Sequence, residues 1–215
     1  MPFDSFLAMV VNLFLIIDPV GSIPLVAALT RGTPASRRRR MVARAVLIAF
    51  LVLGFFAIAG RPVLRYFGVQ IPAVRIAGGV LLFFIGLEML YGRISRTETT
   101  EGEELEAAGK EDISITPLAI PLLAGPGSIA AVLLLAGSLS GAGGTGPGGL
   151  LLLLAAIASV MAISLLLLCL TDPLIRLLGQ IGIKVIARVM GLLLLFVATQ
   201  YVLDGLLAAG VLRRP

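Results

Sequence analysis

Two short strings in this sequence place proline beside glycine and serine within otherwise apolar chain. One is Asp18-Pro19-Val20-Gly21-Ser22-Ile23-Pro24, the other Gly125-Pro126-Gly127-Ser128-Ile129. Proline has no N–H and clashes with the carbonyl four residues back, so a helix unwinds there. A helix that restarts after such a break presents free N–H groups and a partial positive charge, which suit a small anion or a carboxylate. Asp18 brings the opposite charge. It suits a substrate ammonium, a cation or a coupling proton, and equally the N-cap of a helix restarting at Pro19. Asn12 and Gln200 are polar residues in apolar surroundings, each able to hydrogen-bond a ligand or a neighbouring helix. The binding candidates are therefore Asn12, Asp18, Pro19, Gly21, Ser22, Gly125, Pro126, Gly127, Ser128 and Gln200. Arg75, Glu88 and Arg188 are structural or coupling candidates, close to the ends of apolar runs, where snorkelling competes with ion pairing.

The surroundings of these residues narrow the chemistry. The 215 residues are 59% hydrophobic and 13% charged, with no His and one Cys, and the mean hydropathy is +1.08. That composition cannot cover a soluble domain with polar groups. The lack of His removes Ser-His and Cys-His catalysis and His metal sites, and no cofactor or metal is expected. An intramembrane aspartyl enzyme built on Asp18 and Asp204 lacks any recognisable catalytic context, so no enzyme is expected.

A membrane-crossing helix needs about 20 mostly apolar residues. Ile113 to Thr171 holds no Asp, Glu, Lys or Arg and is divided by the glycine-rich Ser140–Gly149, giving two spans. Met41–Gly60, Ala73–Tyr91 and Val185–Ala209 are three more, and Phe3–Leu29 is another, with Asp18 in its middle. Most of the Lys and Arg fall in the connections holding Arg37–Arg40, Arg93–Lys110 and Arg176–Arg188. The positive-inside rule puts those connections in the cytoplasm and both termini outside it. Beside spans, the Arg37–Arg40 run is a topology signal, and no nucleic-acid partner is expected.

The two proline strings also open two similar halves. Arg75-x-x-Gly78 and Arg188-x-x-Gly191 precede apolar runs that close at Gly92 and Gly205 with equal spacing. Three spans per half is an odd number, so the second half is inverted relative to the first. The expected fold is an all-α membrane protein of six transmembrane helices. They form two inverted three-helix repeats, the first helix of each broken at Pro/Gly. Residues 1–92 form the first repeat, 93–112 an acidic cytoplasmic linker and 113–215 the second.

Four strings resemble the MarC family of integral membrane proteins: Asn12–Leu25, Ile71–Gly79, Pro117–Ala130 and Arg188–Leu194. The most distinctive is P-L-A-I-P-L-L-A-G-P-G-S-I-A at Pro117–Ala130. In relatives the first break is often Asn-Pro where this sequence has Asp18-Pro19. The resemblance implies a multi-pass protein of a bacterial-type inner membrane with periplasmic termini. It also implies transport of small neutral amino acids such as glycine and alanine, and a distant similarity to LysE-type exporters. The expectation is a secondary transporter working by alternating access. Its partners are a small zwitterionic solute, a coupling proton or sodium ion and the lipid bilayer, and a homo-oligomer is compatible with it. The alternative is a cation channel or ion transporter using the broken-helix site.

Overall fold

The computed structural model describes residues 2–30, 32–92, 114–139 and 147–212, which form helices joined by short turns, with no strand among the described residues. Among the described residues eight helices follow in chain order: α1 (Pro2–Ile17), α2 (Ile23–Leu29), α3 (Ala35–Tyr66), α4 (Ile71–Tyr91), α5 (Ser114–Leu123), α6 (Pro126–Ser138), α7 (Pro147–Cys169) and α8 (Thr171–Ala208). Four segments are long and apolar enough to cross a membrane: Ala35–Tyr66, Ile71–Leu90, Gly148–Cys169 and Ile181–Ala208. Phe3–Ile17 and Pro126–Gly137 are shorter apolar helices. The expected six spans are thus met by four of spanning length. The stretches expected as the first and fourth spans are each laid down as two shorter helices.

Local chemistry accounts for where the elements differ from their expected bounds. Hydropathy begins a span at Met41, but arginine is a good helix former, so α3 starts six residues earlier, at Ala35. α8 likewise begins at Thr171 rather than Val185, and bends at Gly179, which has φ 67° and ψ 167°. α5 is wound as a π-helix. Pro117 and Pro121 fall within it, and a proline lacks the N–H that a regular α-helical ladder needs. Residues 93–113 and 140–146 lie outside the described residues, and with them the acidic linker and the glycine-rich divider.

The interior is apolar and continuous, with Leu13, Leu53, Leu118, Leu123, Leu153, Ile157 and Leu194 fully enclosed. The outer surface is apolar as well. Leu47, Leu51, Phe55 and Ile58 form an exposed stripe on α3, and Val185, Val189 and Phe196 another on α8. A helix surface of that kind belongs in lipid.

α4 and α8 form the most extensive pairing. Gly205 lies against Arg75 and Ile76, Gly79 against Ala198 and Val202, and Gly86 against Gly191 and Leu195. As the number on one helix rises the other falls, so the two run antiparallel. Arg38 meets Asp172 at one end of the bundle. At the other end Arg61 donates to the Gly137 carbonyl at 3.4 Å, and Gly137 packs on Ile71.

Candidate functional site

α1 stops at Ile17, and Asp18 takes φ 42°, a left-handed conformation. Residues before proline are normally extended; among residues with a Cβ, Asp and Asn enter this region most readily. Asp18 then organises the turn. Its Oδ1 accepts from the Gly21 N–H at 3.1 Å. Its carbonyl accepts from the Ser22 hydroxyl at 3.0 Å and from the Ser22 N–H at 3.2 Å. Asp18, Pro19 and Ser22 are buried. A Cβ at Gly21 would overlap the Asp18 carboxylate and lie 3.3 Å from the Met89 methyl. The carboxylate is thus engaged as a cap.

The second interruption is built differently. The Ala124 N–H closes the last wide turn on the Ala119 carbonyl at 2.9 Å. Gly125 is extended, with φ −74° and ψ 171°, and α6 begins at Pro126. The first helical bond runs from the Ile129 N–H to the Gly125 carbonyl at 3.0 Å. The Gly127 and Ser128 N–H groups precede it and have no helical acceptor. Gly125, Gly127 and Ser128 are buried, while Pro126 is exposed. A Cβ on Gly127 would sit 2.7 Å from Leu82 Cδ2 and 3.6 Å from Ile85 Cδ1.

These contacts place both interruptions on one face of α4, since positions 82, 85 and 89 share a helix stripe. The second faces Leu82 and Ile85 and the first Met89, about 6–10 Å apart along the helix axis. The outlying candidates fall elsewhere. Asn12 accepts from the Tyr201 hydroxyl at 2.8 Å, tying α1 to α8. Gln200 is exposed and donates to Asp204 at 2.8 Å; it is not brought to the interruptions. The Arg188 guanidinium lies over Gly92, where a Cβ would be 3.3 Å from Nη2. There it complements the negative end of α4. Arg75 packs its Cβ against Gly205, and Glu88 lies half-buried in the last turn of α4.

Two polar contacts were absent from the expected set. Tyr201 sits in an apolar run with only its hydroxyl to betray it. Arg38 lies inside a basic run that reads as topology alone, yet donates Nη1 and Nη2 to Asp172 at 2.8 and 2.6 Å. The Arg38 hydrogen bonds hold the Asp172 carboxyl below the usual carboxylate range.

Comparison with known proteins gives a consistent result. The family model that matches the chain is that of the MarC family integral membrane protein, over residues 3–209. A UPF0056 membrane protein of Methanocaldococcus jannaschii is 37% identical over 196 residues, 91% of this chain and 84% of that one. One from Aquifex aeolicus is 38% identical over 196 residues, 91% of this chain and 89% of its own. One from Bacillus subtilis is 34% identical over 212 residues, 98% and 96% of the two. No solved structure matches the chain.

Proposed function

Because the chain belongs to the MarC family of integral membrane proteins, we propose that it is a secondary transporter of a small neutral amino acid, working by alternating access of two three-helix halves. The observation that carries this is the burial of Asp18, Pro19 and Ser22 and of Gly125, Gly127 and Ser128, in two interruptions that meet one face of α4. Irregular backbone persists at membrane depth only where protein covers it or a cavity receives it. Paired interruptions in two halves are where transporters of this kind hold their solute.

The packing supports two halves. α3 lies on α7 and α4 on α8; the α1–α7 pairing is mirrored by α3–α5, and α2–α8 by α4–α6. The N–H groups of Gly127 and Ser128 receive the substrate carboxylate. Carbonyls at the end of α1, left without helical donors, receive the ammonium. Asp18 shapes that end through its bond to Gly21. The Lys- and Arg-rich connections support a bacterial-type inner membrane with both termini outside the cytoplasm. A proton or sodium gradient supplies the drive, since the chain carries no nucleotide-binding motif.

The test is uptake of labelled glycine and alanine into proteoliposomes under imposed pH and sodium gradients. Saturable uptake is expected, and its loss in Gly127→Leu, with the variant still monodisperse in detergent. Dissipation of an ion gradient without uptake of any neutral amino acid would replace this proposal with a cation pathway.

A further inference from the structure

We propose that the arginine-walled cleft between the start of α3 and the α7–α8 connection holds the phosphate of an anionic phospholipid headgroup. The cleft is a wide-open hollow of about 510 Å³ lined by Arg38, Arg39, Asp172, Arg176, Leu170 and Leu177. Three guanidiniums against one carboxylate leave it net positive. Arg38 is its fixed part: its side chain is 9% exposed, and Asp172 takes both terminal nitrogens. The Arg38 Nε–H is buried without an acceptor among the described residues. That donor has almost no surface open to the cleft, so an incoming oxygen is met by Arg39 and Arg176. Arg39 and Arg176 make no hydrogen-bonded ion pair among the described residues, Arg176 acting on Asp172 only at longer range, so both can turn to an incoming anion.

The apolar rim selects a lipid over a free anion. Leu177 is 81% exposed and Leu170 38%, and Ile181, 80% exposed, carries the apolar surface up α8. The bend at Gly179 turns residues 171–178 away from the line of the spanning part of α8. Arg176 and Leu177 both line the cleft, with Leu177 largely exposed, at the end of the spanning helices where headgroups lie. A soluble phosphate has no use for that rim. This site is independent of the transport proposal.

The experiment is thermal unfolding of the purified chain in zwitterionic micelles titrated with phosphatidylglycerol, phosphatidylcholine or inorganic phosphate. Phosphatidylglycerol is expected to raise the midpoint by roughly 3 °C or more, and the other two to leave it in place. The double variant Arg39→Gln/Arg176→Gln, at two exposed positions, should melt like the parent in micelles alone and lose the phosphatidylglycerol shift. An equal shift in that variant, no shift in the parent, or an equal shift with inorganic phosphate overturns the proposal. If the double variant does not fold, Arg39→Gln alone is read by phosphatidylglycerol retained in native mass spectrometry. Retention equal to the parent's also overturns it.

Discussion

At position 18 the molecule uses a hydrogen-bond acceptor and a tolerance for positive φ. Asparagine offers both, which accounts for the Asn-Pro of similar sequences without assigning the charge a role. Asp18→Asn is therefore expected to keep the melting temperature of the parent, whereas Asp18→Ala loses the cap and strains the backbone, costing about 1–3 kcal/mol in detergent unfolding. In the same pair, Asp18→Asn should take up substrate with KM near the parent's; a rise of about tenfold or more would move the ammonium onto the carboxylate. The Arg38–Asp172 pair behaves asymmetrically. Arg38 is buried, and the Asp172 side chain is 47% exposed. Asp172→Ala strands a buried guanidinium and is expected to cost about 3 kcal/mol, near the low end for breaking a buried pair. Arg38→Met leaves only a carboxylate that water can reach, and should cost about 1 kcal/mol or less. Because the Asp172 carboxyl is held below its ordinary value of 3.8, the pair's contribution is complete above that value. It fades as pH falls through the lowered one. Acid melts of the parent should show that loss and those of Arg38→Met should not.

Among elements, the antiparallel α4–α8 pair depends on absent side chains. A Cβ at Gly79 would lie 2.8 Å from the Ala198 carbonyl oxygen, and one at Gly191 3.0 Å from the Gly86 carbonyl oxygen and 2.7 Å from Met89 Cβ. Backbone cannot step aside as a flexible side chain does, so Gly79→Ala and Gly191→Ala are expected to destabilise by about 1–3 kcal/mol. Gly54 on α3 meets only Leu154, at 3.9 Å. Gly54→Ala should be neutral or stabilise by up to about 1 kcal/mol through helix propensity, and thermal melts of the three variants separate the cases. The sequence shows these glycines, seven apart at Gly79 and Gly86 and fourteen apart at Gly191 and Gly205, but a spacing within one helix does not name the helix it faces. Apolar runs located α4 and α7 closely, since hydropathy reports where lipid contact begins and ends. They could not show that α3 runs on through its arginines or that α8 bends at Gly179. Helix continuation there depends on backbone hydrogen bonding, to which hydropathy is blind. The interruptions were legible from proline and glycine chemistry alone. The wide winding of α5 was not, since proline spacing permits a kink, a break or a π-turn equally.

For the whole molecule, the contacts at the two ends decide how often the chain crosses. Tyr201 lies one turn before Gly205, which packs on Arg75 and Ile76 at the start of α4, and it binds Asn12 of α1. Gly21, just beyond α1, reaches Met89 near the other end of α4. α1 and α2 together therefore traverse most of the length of α4. α6 ends against Ile71 and Arg61. If both interrupted stretches cross, the chain makes six passages, four of them on helices of spanning length among the described residues. Six passages put Phe67 and Ala35 on opposite faces of the membrane, with Phe67 on the side of both termini. Four passages with re-entrant α1–α2 and α5–α6 instead put the N-terminus with Ala35. The single substitutions Ser5→Cys, Ala35→Cys and Phe67→Cys, each in a Cys169→Ala background, separate these arrangements with an impermeant thiol reagent on intact spheroplasts. The Ser5→Cys and Phe67→Cys variants should label without permeabilisation and the Ala35→Cys variant only after it. Labelling of the Ser5→Cys variant under the same conditions as Ala35→Cys would remove the inverted pairing of halves, and with it the reason to place a solute between the two interruptions.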